Sequence, residues 1–183
     1  IMGVEAGEMV RTVAYVRCTG TEAKVKATYD GIPDCLAATK AAGNGPSACS
    51  HGCLGFGNCV AACQFGAIEI VDGLAKVNRE KCTGCMACAT ACPRGVIASV
   101  PYASTVMVGC SSTDKGPVTM KACSNGCIGC MLCVKTCQHD AIKVTNFLAI
   151  IDQDKCTGCG DCVAKCPKHV ILDIAKKKVA ESA

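Results

Sequence analysis

The chain has 183 residues, of which 50% are hydrophobic, only 3% are aromatic and none is tryptophan. Its formal net charge is +4, and it contains no run of about 20 apolar residues, the length that a membrane-spanning helix requires. Twenty cysteines make up about 11% of the sequence, a density that would indicate a disulfide scaffold in a short secreted protein. No signal peptide is recognisable, so the spacing of the cysteines has to decide between disulfides and metal binding.

Residues 1–48 are predicted to form an N-terminal extension that carries two isolated cysteines. An alternating, strand-like run at residues 12–17 leads into Cys18. A helix-like stretch at residues 34–42 contains Cys35, and the Gly-Asn-Gly-Pro sequence at residues 43–46 predicts a turn.

Two later cysteine runs share one spacing. Residues 82–93 and 156–167 both follow the pattern C-x2-C-x2-C-x3-C-P, which binds [4Fe–4S] clusters in bacterial ferredoxins. Three thiols on one tight loop cannot pair with one another without strain, and structural zinc sites usually join two separated pairs instead. We therefore predict iron–sulfur clusters rather than disulfides or zinc, and with them a reducing, cytoplasm-facing environment.

The sequence contains an internal repeat, because residues 53–100 align without gaps to residues 127–174. This predicts an α+β fold of tandem bacterial-type two-[4Fe–4S] ferredoxin units with strand-bearing extensions. The predicted boundaries are a first unit at 49–101, a linker at 102–122 that holds Cys110, a second unit at 123–175 and a basic tail at 176–183.

Each unit is predicted to contain a small hairpin and two short helices. Residues 67–77 and 141–151 have the β-branched character and central turn of a hairpin. The helices are expected to follow the cluster loops after Cys59, Cys88, Cys133 and Cys162. Residues 104–110 resemble residues 12–18, so a strand ending near a cysteine precedes each unit, and the first copy holds an insertion of about 18 residues after it.

Ligands can be assigned from the spacing, because in two-cluster ferredoxins the first three cysteines of each run share a cluster with the last cysteine of the other. Two complete sites follow in the second unit: Cys127, Cys130, Cys133 and Cys166, and Cys156, Cys159, Cys162 and Cys137. One complete site follows in the first unit: Cys82, Cys85, Cys88 and Cys63.

The remaining site of the first unit lacks one ligand, because Phe56 stands where the repeat has Cys130. The simplest replacement is Cys49, which gives a site of Cys49, Cys53, Cys59 and Cys92. Two alternatives stay open: a three-iron cluster without the middle ligand, or His51 as a ligand, since imidazole replaces thiolate in some clusters.

Four cysteines remain as possible extra ligands: Cys18, Cys35, Cys110 and Cys123. Twenty cysteines would divide into five complete sites, but these four lie in different copies and nothing in their spacing brings them together. We therefore expect four [4Fe–4S] clusters, with a fifth as the alternative, and buried thiols at these positions. An oxidised cubane with four thiolates carries about −2, so four clusters would change the net charge to roughly −4. No nucleic-acid partner is expected, and the lysines of the tail are expected to be solvated.

Segments 16–21, 34–38, 49–55 and 123–130 go beyond a generic ferredoxin. Together with the ferredoxin runs they resemble the B subunit of the Rnf complex, in the longer form found in anaerobic bacteria. The resemblance implies the electron-transfer subunit of a membrane-bound ferredoxin:NAD⁺ oxidoreductase that couples electron flow to Na⁺ or H⁺ transport. It also implies soluble ferredoxin and other Rnf subunits as partners, at the cytoplasmic face of the bacterial cell membrane.

Members of this family usually begin with a membrane helix and a further cysteine-rich segment, whereas this sequence opens at Ile1 without them. Membrane attachment is therefore expected through partner subunits or a preceding anchor. No nucleophile–base pair, flavin motif or nicotinamide motif is visible, so no substrate turnover is expected from this chain alone. Two other functions stay open: a polyferredoxin subunit of a hydrogenase or formate dehydrogenase, and a redox or iron sensor.

Overall fold

A computed structural model describes residues 10–21, 23, 25, 26, 28–41 and 44–175. Within these ranges the helices and strands are short. In chain order they are β1 (Thr12–Val16), α1 (Cys35–Lys40), α2 (Asn58–Ala61), β2 (Ile68–Val71), β3 (Leu74–Val77), α3 (Ala87–Thr90), β4 (Ile97–Pro101), β5 (Val106–Val108), α4 (Gly116–Ala122), α5 (Leu132–Thr136), β6 (Ile142–Thr145), β7 (Leu148–Ile151), α6 (Asp161–Lys165) and β8 (Ile171–Asp173). The basic tail at 176–183, the first nine residues of the extension, and residues 42 and 43 of the predicted helix and turn lie outside the described residues.

Both predicted hairpins are confirmed. Strands β2 and β3 pair antiparallel in the first unit, and β6 and β7 pair in the same way in the second. The first hairpin turns at Asp72 and Gly73, and both have the positive φ that a tight two-residue hairpin turn requires. Asn146 and Phe147 adopt the same backbone conformation in the second hairpin, so the two units share this geometry despite different side chains.

The strand-like runs before each unit are also confirmed as strands. Strand β1 pairs antiparallel with β4, the last strand of the first unit, and β5 pairs with β8, the last strand of the second. The Arg17 amide donates to the Val96 carbonyl and the Gly109 amide to the Val170 carbonyl, both at 2.7 Å. Each upstream strand is therefore attached to its own ferredoxin unit, and Cys18 and Cys110 lie just beyond the strand ends.

The helices depart from the prediction in two respects. The four cluster-loop helices begin one residue before the cysteines that were expected to precede them, so that the cysteine lies in the first turn. Helix α4 in the linker was not predicted, and it begins with Gly116 and Pro117, a sequence with low helix propensity. Helix α1 was predicted, and the Asp34 carboxylate caps it by accepting from the Ala37 amide at 2.7 Å.

The interior consists of two hydrophobic clusters of small side chains. The first unit is centred on Val13, Val96 and Ile97, and the second on Val170 and Ile171, each with several buried cysteines. The two halves touch, because Met107 of β5 packs into the first cluster and the Thr19 amide donates to the Gly109 carbonyl at 3.0 Å. Cores this poor in large side chains leave metal binding to supply part of the folding free energy.

The backbone of strand β1 approaches Gly84 so closely that a side chain does not fit there. Gly84 has a φ of +76°, and a Cβ there would lie 2.5 Å from the Thr12 carbonyl oxygen, whereas Gly95 has a φ of +59° with no neighbouring atom within 4 Å. We expect Gly95→Ala to cost about 1–2 kcal/mol, the penalty for a left-handed alanine. Gly84→Ala should cost more, because strand β1 must also move away. Thermal unfolding under anaerobic conditions measures both, and equal losses would contradict the steric argument.

Candidate metal centres

The second unit brings one predicted ligand set together. Its four cysteines line one apolar cavity: Cys127, Cys130, Cys133 and Cys166. Val144, Ala149 and Ile171 form much of the remaining wall. Cys130 is exposed while Cys133 is buried, so the site lies at the edge of the hydrophobic cluster with one corner toward solvent.

The four cysteines predicted to form the complete site of the first unit also lie together. Cys63, Cys82, Cys85 and Cys88 line one apolar cavity. The Ala14 amide of β1 donates to the Cys82 sulfur at 3.3 Å, and the Ala67 amide to the Cys63 sulfur at 3.4 Å. Backbone N–H groups pointed at sulfur are one of the features that set cluster potentials. The upstream strand is thus part of the site as well as of the sheet.

Three thiols of the remaining set in the second unit lie together. Burial, together with the neighbouring thiols of Cys156 and Cys159, raises the pKa of Cys162 to about 11. Cys137, the fourth member of the predicted set, packs against the same hydrophobic cluster.

The incomplete site of the first unit differs from the prediction. One apolar cavity is lined by Cys35, Cys53, Cys59 and Cys92, and not by Cys49. Its other lining residues are mostly the repeat equivalents of those in the second unit, such as Leu54 for Ile128. Burial raises the pKa of Cys59 to about 11, and the three other thiols of the set contribute to that rise. The inserted segment therefore brings a fourth thiol, that of Cys35, to the cavity whose loop carries Phe56 in place of a cysteine.

Asn58 holds Cys35 in this position. Its side-chain oxygen accepts from the Cys35 amide at 2.7 Å, and its side-chain nitrogen donates to the Asp34 carboxylate at 2.6 Å. The hydrogen bonds from the Ala37 amide and from Asn58 lower the pKa of Asp34. The second unit has Leu132 at the equivalent position, where no inserted segment has to be anchored.

Phe56 has a role in docking the insertion. Its ring lies 5.3 Å from the ring of Tyr29, measured between centroids, and it lines a surface groove with Pro33 and Leu36. Phe56, which stands where the repeat has Cys130, thus contacts the inserted segment that carries Cys35. The difference between the repeat equivalents Asn58 and Leu132 was the available indication in the sequence that a polar side chain anchors the segment around Cys35, and the prediction did not use it.

A further cavity lies between the two units. Four cysteines from separate segments line it, together with Cys53 of the neighbouring site: Cys18, Cys49, Cys110 and Cys123. Three of the four cysteines left over in the sequence analysis, Cys18, Cys110 and Cys123, therefore lie together, although nothing in their spacing indicated it. The fourth cysteine beside them is Cys49 and not Cys35. No disulfide forms among the cysteines of the structure.

Comparison with protein families defines the class. Residues 126–170 match the 4Fe-4S dicluster domain, and residues 74–97 match the 4Fe-4S binding domain. The chain is therefore an iron–sulfur protein with two ferredoxin-type domains.

Curated relatives define the family. The chain is 49% identical over 174 residues to the B subunit of the Na(+)-translocating ferredoxin:NAD(+) oxidoreductase complex of Acetobacterium woodii. It is 48% identical to the proton-translocating counterpart of Clostridium ljungdahlii, and 44% identical to the B subunit of the ion-translocating oxidoreductase complex of Methanosarcina acetivorans. These alignments cover 93–95% of the chain. The chain belongs to the family of Rnf complex B subunits.

The match spans only part of each relative: 52%, 63% and 66% of their respective lengths. Within the residues that the structure describes, no helix is long and apolar enough to cross a membrane.

The anchoring role of Asn58 can be tested by exchanging the repeat equivalents. We expect Asn58→Leu to release about four iron atoms per chain to a chelator at least about tenfold faster, because two hydrogen bonds worth about 1 kcal/mol each are lost beside Cys35. Leu132→Asn is the matched control and should leave iron release unchanged, since Cys130 lies on its own loop. Anaerobic chelation kinetics decide, and equal rates for the two variants would contradict the role of Asn58.

Proposed function

We propose that the chain is the iron–sulfur relay of an ion-translocating ferredoxin:NAD⁺ oxidoreductase. The observation that carries this proposal is the gathering of four thiols from distant segments around each of several separate apolar cavities, in a chain of the Rnf B family. A [4Fe–4S] cluster bound at such a site accepts and donates one electron at a time.

The residues fit this cofactor better than they fit a single metal ion. In the described part of the chain, no group of three or more His, Cys, Asp or Glu side chains is close enough to hold one ion. The cysteines instead line apolar cavities in groups of four. All-thiolate ligation suits the low end of the potential range of such clusters, which is what electrons from a ferredoxin require.

The proposed ligand sets keep three of the predicted groups and change the fourth. They are Cys35, Cys53, Cys59 and Cys92; Cys63, Cys82, Cys85 and Cys88; Cys127, Cys130, Cys133 and Cys166; and Cys137, Cys156, Cys159 and Cys162. Cys35 replaces Cys49 because it lines the cavity and is fixed there by Asn58. Neither a three-iron cluster nor ligation by His51 is needed, since four thiols meet at this site.

Three of these sites have a ligand at the protein surface. Cys85, Cys130 and Cys159 are exposed, so electrons can enter and leave without opening of the fold. Around Cys130 the neighbouring side chains of Met131 and Leu132 are 48% and 44% exposed. A redox partner that docks there approaches a cluster ligand directly through a small apolar surface, as weak electron-transfer complexes do.

The proposed partners follow from the relatives' names. Reduced soluble ferredoxin would donate electrons, and other subunits of the complex would accept them. The chain would act at the cytoplasmic face of the cell membrane, held there by partner subunits or by a part of the protein outside this sequence.

The relay is tested in the assembled complex under anaerobic conditions. Adding reduced ferredoxin should bleach the visible absorbance of the clusters in this chain, and adding NAD⁺ should restore it. A complex reconstituted without this chain is the control and should lose ferredoxin-dependent NAD⁺ reduction. Clusters of this chain that stay oxidised while NAD⁺ is reduced would overturn the proposal.

A further inference from the structure

The cavity between the two units has the same kind of lining as the ferredoxin sites. Four cysteines that belong to no other proposed ligand set line it, as four cysteines line each of the two equivalent ferredoxin cavities. Cys18 follows strand β1, Cys110 follows β5, Cys123 caps the C-terminus of α4 and Cys49 precedes the first cysteine run. Cys18 and Cys110 are repeat equivalents, as are Cys49 and Cys123, so each half of the chain supplies one thiol of each kind.

Two glycines keep the space in front of these sulfurs open. A Cβ on Gly20 would lie 3.3 Å from the Cys123 sulfur and 3.6 Å from the Cys18 sulfur. A Cβ on Gly52 would lie 3.5 Å from the Cys49 sulfur and 3.6 Å from that of Cys18. Neither glycine has a positive φ, so the backbone conformation does not require glycine at these positions. A side chain there would occupy the space that the sulfurs face.

Cys49 lies beside thiols of both halves. It lines one cavity with Cys18 and Cys110, and a Cβ on Gly52 would contact the sulfurs of both Cys49 and Cys18. Cys49 therefore connects the strand cysteines of the two halves.

The walls of the cavity are fixed by hydrogen bonds between the halves. Thr19 donates to the Gly109 carbonyl from both its amide, at 3.0 Å, and its hydroxyl, at 3.1 Å. The Ser111 hydroxyl donates to the His51 carbonyl at 2.7 Å, and the His51 side chain lies 3.3 Å from the Asp114 carboxylate. The four sulfurs are thus held around a preformed space.

We propose that Cys18, Cys49, Cys110 and Cys123 bind a fifth [4Fe–4S] cluster that connects the two ferredoxin units. The proposal rests on the relay function above and adds a site to it. Four thiols around an apolar cavity are the donor set of such a cluster, and no disulfide among them consumes the thiols.

The fifth site is hydrogen-bonded in the same way to a neighbouring cluster loop in each unit. The Cys53 amide donates to the Cys18 sulfur at 3.4 Å, and the Cys127 amide donates to the Cys110 sulfur at 3.4 Å. Cys53 and Cys127 are themselves proposed ligands of the neighbouring clusters. One hydrogen bond on each side therefore joins a ligand of the fifth cluster to a ligand of the next.

These hydrogen bonds suggest a route for one electron at a time. With clusters bound, a reduced cluster held by Cys53 or Cys127 would lose one electron to the cluster held by Cys18 and Cys110, which would pass it to the other unit, with no change in bonds or protons. Reduced ferredoxin is the source of the electron. The two units then form one continuous relay instead of two separate two-cluster carriers.

Iron and acid-labile sulfide, measured on anaerobically purified protein, test the fifth site directly. We expect about 20 iron atoms per chain, four for each of five clusters. Cys110→Ser and Cys123→Ser should each reduce the count to about 16, and the double variant should also give about 16, because both residues serve one cluster. Val118→Ala is the matched control: this side chain lies on the same helix as the Cys123 cap but is 52% exposed and does not line the cavity, so the count should stay at about 20.

A further double variant distinguishes this site from the neighbouring site of the first unit, which contains Cys35. Cys35→Ser combined with Cys49→Ser should give about 12 iron atoms, because the two residues belong to different clusters. Electron paramagnetic resonance of the reduced variants should show that the remaining clusters are intact, which excludes general unfolding.

The two proposals fail in different ways. About 16 iron atoms in the unmodified protein, unchanged by Cys110→Ser and Cys123→Ser, would overturn the fifth site and leave the relay standing. A count of about 12 in the Cys110→Ser/Cys123→Ser double variant would assign the two residues to different sites and would also overturn it. An unmodified protein without iron would overturn the relay itself.

Discussion

A four-thiol site has to draw its sulfurs from segments that are far apart in sequence, and the rest of this structure depends on that requirement. Cys53 and Cys59 meet Cys92 from the end of the same unit and Cys35 from the inserted segment. Side chains large enough to build an ordinary core are scarce, since only 3% of residues are aromatic. Ligation therefore takes over the long-range contacts that hydrophobic packing provides in other proteins, and folding becomes linked to metal binding.

Much of the local architecture could be predicted from the sequence because it is local. The hairpins follow from β-branched runs with a central turn, and the strands before each unit follow from alternation and from the repeat. The proposed ligands on the loops follow from spacing: three on each of three loops, and two on the loop at 53–59, where Phe56 interrupts the pattern. These features depend on residues within a few positions of one another, where sequence patterns are informative.

The path of the insertion could not be predicted in the same way. Cys49 is near Cys53 in sequence, so it was the simplest substitute for the missing thiol, but proximity along the chain does not decide which cavity a side chain enters. Asn58 and the contact between Tyr29 and Phe56 place Cys35 instead. Cys49 is then left to the space between the units. Helix α4 was missed because Gly116 and Pro117 have low helix propensity and the helix is stabilised by its tertiary contacts.

The exposed corners of the sites also affect how the protein tolerates air. At Cys85, Cys130 and Cys159 a dissolved oxidant meets a ligand sulfur at the surface, and accessible thiolates are the ones that oxidants attack first. Cys35 occupies the equivalent corner in the remaining site and is only partly exposed, with Leu36 and Phe56 beside the opening. The inserted segment therefore shields that corner from oxygen as well as completing it, so damage in air should begin at the other three sites.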